Sequence, residues 1–228
     1  MPEAPWRVGG AQRQGRRGVQ ADAFDIGGDM ATGRISVAVT DGIGDTNAAA
    51  DAALLAAEEA AIVTLNANPQ AGCTAARARL AASGSTADAS IVSALFDPAD
   101  SRIQIAWAGL CRAYVLSADG RLQRVTYDHV LGEAAGRRAA EDGSTPPCDR
   151  RVTHTVALRD FVTTSLPVHS TAAVLLCTDG VSRSLTERAI TNALRVDDPT
   201  NAAELLAGAA GINGPDNTTA VVLLNRSR

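Results

Sequence analysis

Two stretches of this chain drive an apolar run straight into a carboxylate. ISVAVTDG carries Ile35 to Val39 into Thr40-Asp41-Gly42, and AVLLCTDG carries Ala173 to Cys177 into Thr178-Asp179-Gly180. Apolar runs of this length read as buried strands. An ionised carboxylate at the end of one is costly unless something offsets its desolvation. A fold that tolerates this twice must place both strand ends where a partner for the charge is available.

The rest of the chain narrows the fold class. Strands are predicted over Arg34–Thr40, Ala89–Phe96, Ser101–Ala108, Arg112–Leu116, Leu122–Val125, Ala173–Thr178 and Thr219–Leu224. Ala89–Phe96 and Ser101–Ala108 read as a hairpin around Asp97-Pro98-Ala99-Asp100. Arg112–Leu116 and Leu122–Val125 read as another around Ser117-Ala118-Asp119-Gly120, whose Asp-Gly suits a tight turn. Helices are predicted over Ala48–Leu65, Ala71–Ala82, Thr186–Leu194 and Thr200–Ala210, the last capped by Thr200 or Asn201 after Pro199. Hairpins grouped in the middle and helices in pairs favour antiparallel sheet with helices outside it, over strict β-α-β alternation.

Composition sets the remaining bounds. At 228 residues, 46% apolar and 20% charged, the chain reads as folded, and without a repeat or linker a single domain over 1–228 is expected. The polar stretch Glu133–Arg151, with Gly136, Gly143 and Pro146-Pro147, reads as a short flap around 133–151. No apolar run reaches the length of a membrane span, and the N-terminal stretch lacks the apolar core of a signal peptide. A cytoplasmic protein with no membrane partner is therefore expected. A net charge of −4 gives no reason to expect nucleic acid. Cys73, Cys111, Cys148 and Cys177 form no C-x-x-C pair and read as free thiols, and the three histidines are too scattered for a zinc site.

Four aspartates sit where strands begin or end: Asp22 in GVQADAF, Asp41, Asp179, and Asp216 in GPDNTTAVVLL. Converging carboxylates repel one another, and a divalent cation resolves the repulsion, since oxygen donors suit Mg²⁺ or Mn²⁺. The glycines after Asp41 and Asp179 would let the backbone turn sharply, so that a carbonyl could also face the ion. Asp-Gly is equally a common turn pair, and Asp119-Gly120 is read as a plain turn. On spacing alone both readings stand.

Taken in order, six stretches resemble the metal-dependent protein phosphatases, the type 2C serine/threonine phosphatases, of the bacterial kind. They are RRGVQADAF, VAVTDGIGDT, GSTADASIV, WAGLCRAYVLSADGRLQRVTYDHV, LLCTDGVSRSLTERAI and GPDNTTAVVLL, together covering about Arg17 to Leu224. The resemblance implies an α+β fold, a four-layer α-β-β-α sandwich of two antiparallel β-sheets flanked by helices. It implies two Mn²⁺ or Mg²⁺ ions at one end of that sandwich. By position, Asp41 would bridge the ions, Gly42 would give its carbonyl to one, and Asp179 and Asp216 would ligate the other. Asp22 would hold waters of the ions, and Arg17 would grip the substrate phosphate, a task suited to its planar fork.

The implied activity is hydrolysis of phosphoserine and phosphothreonine in a phosphoprotein, by attack of a water or hydroxide bridging the ions, opposing a serine/threonine kinase in a signalling pathway. No phosphoenzyme is needed, so Cys177 reads as core. Departures from the family pattern are as informative. Gly109-Leu110-Cys111-Arg112 stands where the family has Gly-Asp-Ser-Arg, and that aspartate helps hold a third ion in related enzymes. Leucine cannot ligate, so a third site is not expected here. Ala21 replaces an acidic or amide residue, Asp45-Thr46 stands where Gly-His is usual, and His129 reads as structural. These departures leave an alternative: a catalytically weak or inactive regulatory module that binds a phosphoprotein. Hydrolysis of small phosphate esters is a third possibility. An aspartyl-nucleophile route of the haloacid dehalogenase kind fits less well, because Asp41 is followed by Gly42-Ile43 and not by a second aspartate.

Overall fold

The computed structural model describes residues 6–131 and 151–225; of the expected flap at 133–151, all but Arg151 lies outside them. The elements are, in chain order, β1 (Trp6–Arg13), β2 (Asp22–Asp29), β3 (Arg34–Gly42), α1 (Asn47–Asn66), α2 (Pro69–Ala82), β4 (Ala89–Phe96), β5 (Arg102–Ala108), β6 (Arg112–Ser117) and β7 (Leu122–Arg124). Then come β8 (Val162–Pro167), a 3-10 turn at Val168–Ser170, β9 (Thr171–Cys177), α3 (Asp179–Ser184), α4 (Glu187–Ala193), α5 (Pro199–Asn213) and β10 (Thr218–Asn225). They form two five-stranded sheets, in the order β1-β10-β9-β6-β7 and β2-β3-β4-β5-β8. Every neighbouring pair is antiparallel.

Side-chain alternation builds the layers. In β9, Val174 and Leu176 enter the core between the sheets, whereas Ala173, Leu175 and Cys177 meet α4 and α5. In β3, Val37 and Val39 face the other sheet, and Ala38 packs under α1 and α2 with Ala56 and Ala60. The central strands are thus buried on both faces, which is why they read as unbroken apolar runs and not as alternating ones. The result is the four-layer α-β-β-α sandwich expected from the sequence.

α1 lies close to its sheet because its buried face is almost all alanine: Ala49, Ala52, Ala53, Ala56, Ala57, Ala60 and Ala61. Thr46, one of the unusual residues, caps this helix, its Oγ1 accepting the N–H of Ala49 at 3.2 Å. α5 starts earlier than expected. Its cap is Asp198, whose Oδ1 accepts the N–H of Asn201 at 2.9 Å, and Pro199 occupies the first turn. Proline lacks the N–H that would be unpaired there and has the right φ, so it opens the helix rather than preceding it.

Three strands have no predicted range, although Asp22 is read as standing at a strand end. The apolar pattern of β1 is interrupted by Gly9 and Gly10, where a Cβ would meet the backbone of Thr200 at 2.4 Å and the Phe24 ring at 2.5 Å. β2 carries Asp22, Asp25, Gly27, Gly28 and Asp29, and β8 is a polar edge strand. All three lack the apolar run on which strand prediction depends.

Candidate metal centre

The antiparallel register sets Asp22 directly opposite Asp41. Like charges facing each other across a strand pair are unfavourable, and both lie at the end of the sandwich where the sheets meet. From the side of the other sheet, Thr178 Oγ1, one residue past β9, donates to Asp22 Oδ2 at 2.8 Å, and Thr219 Oγ1, in β10, donates to the same oxygen at 3.0 Å. Asp22 therefore joins the two sheets. Asp179 begins α3 one residue after Thr178, and Asp216 lies just before β10, so both arrive at this same end.

The glycines have a different task from the expected one. Neither Gly42 nor Gly180 has a positive φ. Each is needed for close approach: a Cβ on Gly42 would lie 2.3 Å from the Ala49 carbonyl oxygen and 2.8 Å from that of Ala21. A Cβ on Gly180 would lie 1.9 Å from the carbonyl oxygen of Asn217. Gly180 thereby lets the start of α3 press against the segment carrying Asp216. Asp119-Gly120 is the plain turn expected, with Gly120 at φ 83°.

Arg17, Asp41, Gly42, Asp179 and Asp216 line one cavity of about 190 Å³, with Ser90, Leu110, Arg183 and Asn217 among its other walls. Asp22 stands behind it, buried against the threonines. All six residues expected from the sequence thus come to one end of the sandwich. Two larger grooves, of about 550 and 420 Å³, are lined by none of the six.

Charge dominates the site. Burial, and then the charges of Asp22, Asp179 and Asp216, hold the carboxyl of Asp41 well above the usual carboxylate range. Burial pushes Asp22 up to about 7 against the opposing hydrogen bonds of Thr178 and Thr219. Asp179 is raised by burial too, with Arg183 opposing. Two guanidinium groups offset part of the repulsion. Arg17 Nε lies 2.9 Å from Asp216 Oδ1, and Arg183 Nη1 lies 2.6 Å from Asp179 Oδ2.

Among the described residues no group of three or more His, Cys, Asp or Glu side chains is placed so as to hold a metal ion. The donor chemistry nonetheless suits a hard divalent cation: carboxylates from four segments and a buried glycine backbone, with no sulfur or imidazole among the described lining residues.

One supporting residue, Asn217, carries no signal in the sequence, and others singled out there find their place in the structure. Buried Asn217 holds the Arg17 loop: its Oδ1 accepts the N–H of Ala21 at 2.9 Å, and its Nδ2 donates to the carbonyls of Gln14 at 2.6 Å and Val19 at 3.0 Å. Asp45 accepts the N–H groups of Gly18 at 3.1 Å and Val19 at 2.9 Å, which pull its carboxyl below the usual range. Leu110 forms wall, its N–H donating to Ser90 Oγ at 3.2 Å. His129 belongs to the packing, as expected: its Nδ1 accepts the N–H of Gly109 at 3.0 Å and its ring stacks on that of His154 at 4.2 Å. Burial pushes the Cys177 thiol up to about 12, which suits core and not a nucleophile.

No protein-family model matches the sequence, and no curated protein matches it either. Solved structures do. The chain is similar to the serine/threonine phosphatase PstP/Ppp of Mycobacterium tuberculosis, with 23% identity over 96% of this chain and 98% of that one and a TM-score of 0.75. It is similar to the serine/threonine phosphatase of S. agalactiae, with 14% identity over 96% and 99% and a TM-score of 0.81. A structure of the PstP catalytic domain in complex with 2 manganese ions matches at 23% identity over 96% and 97%, with a TM-score of 0.73. At such identities the likeness is one of fold, and the fold of this chain is that of the metal-dependent serine/threonine phosphatases.

Proposed function

We propose that this chain is a Mg²⁺- or Mn²⁺-dependent phosphatase that hydrolyses phosphoserine and phosphothreonine in a phosphoprotein, opposing a serine/threonine kinase. The observation that carries the reading is the shared cavity, where Arg17, Asp41, Gly42, Asp179 and Asp216 meet from four separate segments.

In this reading Asp41, the Gly42 carbonyl, Asp179 and Asp216 would hold two divalent ions. Asp22, fixed by Thr178 and Thr219, orients waters at their edge. Bound there, the ions supply Lewis acidity and make water a nucleophile near neutral pH. The chain's own residues do the rest. Arg17 leaves Asp216 to take phosphoryl oxygens and aligns the phosphorus with the attacking water, which lowers the entropic part of the barrier. The cavity is open enough at Arg17, whose side chain is 42% exposed, for a phosphorylated side chain to enter. Among the described residues no histidine lines this cavity to protonate the leaving alkoxide, so solvent serves.

Leu110 favours a second reading, a phosphoprotein-binding module of low turnover, because it puts an aliphatic side chain in the cavity wall where related enzymes hold a third ion. Phosphate release from a phosphothreonine peptide, with Mn²⁺ and with chelator, separates the two. The expected result is turnover that requires Mn²⁺ and falls at least about a hundredfold in Asp179→Asn with the fold retained. Metal binding without turnover would favour the module. Neither binding nor turnover would reduce the strand-end aspartates to structural residues.

A further inference from the structure

Arg183 has no part in the reading above, yet it lines the same cavity. It lies on α3 one turn after Asp179 and is the ion-pair partner of that aspartate, at 2.6 Å. Asp216, the other aspartate of the same expected ion site, is paired in the same way with Arg17. Each of these two carboxylates thus has a guanidinium in front of it, one from α3 and one from the loop after β1. Asp179 is nearly buried, its side chain 9% exposed, whereas that of Arg183 is 36% exposed. The carboxylate is fixed by the fold, and the arginine has solvent to move into.

This is a competition with a definite sign. A divalent cation at Asp179 would stand within ion-pair distance of Arg183, and like charges at that range repel strongly in a partly buried site. The freed fork remains anchored by α3 at the rim of the cavity, on which a phosphoryl group would supply anionic oxygens. Resting on the phosphatase reading, we propose that Arg183 is a tethered counter-ion of Asp179 that yields to a divalent cation and then takes a phosphoryl oxygen alongside Arg17. The substrate so favoured is a fully ionised phosphate monoester, since two forks and two ions match a dianion better than a diester monoanion.

The test is calorimetric and needs no turnover. Mn²⁺ is titrated into the full chain as wild type, Arg183→Gln, Arg183→Lys and Asp179→Asn, and orthophosphate is then titrated into each Mn²⁺-loaded protein. Arg183→Gln is expected to bind Mn²⁺ several-fold more tightly, having lost the competitor, and orthophosphate roughly tenfold more weakly, having lost a charge-assisted hydrogen bond. Arg183→Lys, which keeps the charge without the fork, is expected to fall between wild type and glutamine in both. Manganese affinity in Arg183→Gln equal to or weaker than wild type, or unchanged orthophosphate affinity, overturns the proposal. A lysine variant that binds Mn²⁺ like the glutamine variant overturns it too. Asp179→Asn separates the levels: if it abolishes Mn²⁺ binding while Arg183→Gln changes nothing, only the role of Arg183 fails. If wild type and Asp179→Asn give the same isotherm, the two-ion reading fails and the proposal with it.

Discussion

Every polar atom of the Asn217 side chain is engaged, one as acceptor for Ala21 and one as donor to both Gln14 and Val19. Those partners flank Arg17 in the chain, so the amide fixes the loop from which the arginine reaches Asp216. Asn217→Asp keeps the acceptor, loses both donated hydrogen bonds and buries a charge. It is expected to cost about 2–4 kcal/mol, the penalty for leaving buried carbonyls unpaired, and to raise KM for a phosphopeptide. Urea unfolding and steady-state kinetics check the two parts; an unchanged KM would mean that Arg17 does not depend on the clamp. Asp41 and Asp179 were legible in the sequence because an acidic residue closing an apolar run is anomalous in itself. Thr178, Asn217 and Arg183 were not. Their significance lies in partners up to 198 residues away or in a six-residue helix too short to leave a periodic signal.

At the scale of elements, the contact between α1 and α2 is set by missing side chains. A Cβ on Gly72 would lie 2.1 Å from Thr64 Oγ1 and 2.6 Å from the Ala60 carbonyl oxygen. Gly72→Ala sets two effects against each other. Helix propensity gains about 1 kcal/mol, and overpacking of a filled contact costs about 1–3 kcal/mol. Overpacking is expected to win, because one of the obstructing atoms is backbone and cannot rotate away. A fall in the urea midpoint is the expected result, and a rise would show that the helices separate freely. The same close packing explains which elements the sequence revealed. β3, β4, β9 and β10 are enclosed on both faces and appear as apolar runs. β1 was obscured by the two glycines that α5 and Phe24 require, and β8 by the polar residues of an edge.

At the scale of the whole molecule, the raised carboxylates tie the site to folding. Asp22 has a folded pKa near 7 against about 4 when unfolded. Between those values the folded chain holds a proton that the unfolded chain releases. With chelator present, stability is therefore expected to fall as pH rises from about 4 to about 7. Thermal melts across that range check it, and stability that climbs with pH throughout would mean that the cluster titrates normally. Asp22 and Asp41 belong to one sheet, whereas Thr219 belongs to the other and Thr178, Asp179 and Asp216 lie in segments that directly adjoin its strands β9 and β10. An ion ligated from both leaves would act as a rivet across the seam of the sandwich, binding the folded chain and not the separated leaves. The melting temperature of this protein would then track the free manganese or magnesium around it, so that scarcity of the metal would narrow the margin by which the chain stays folded.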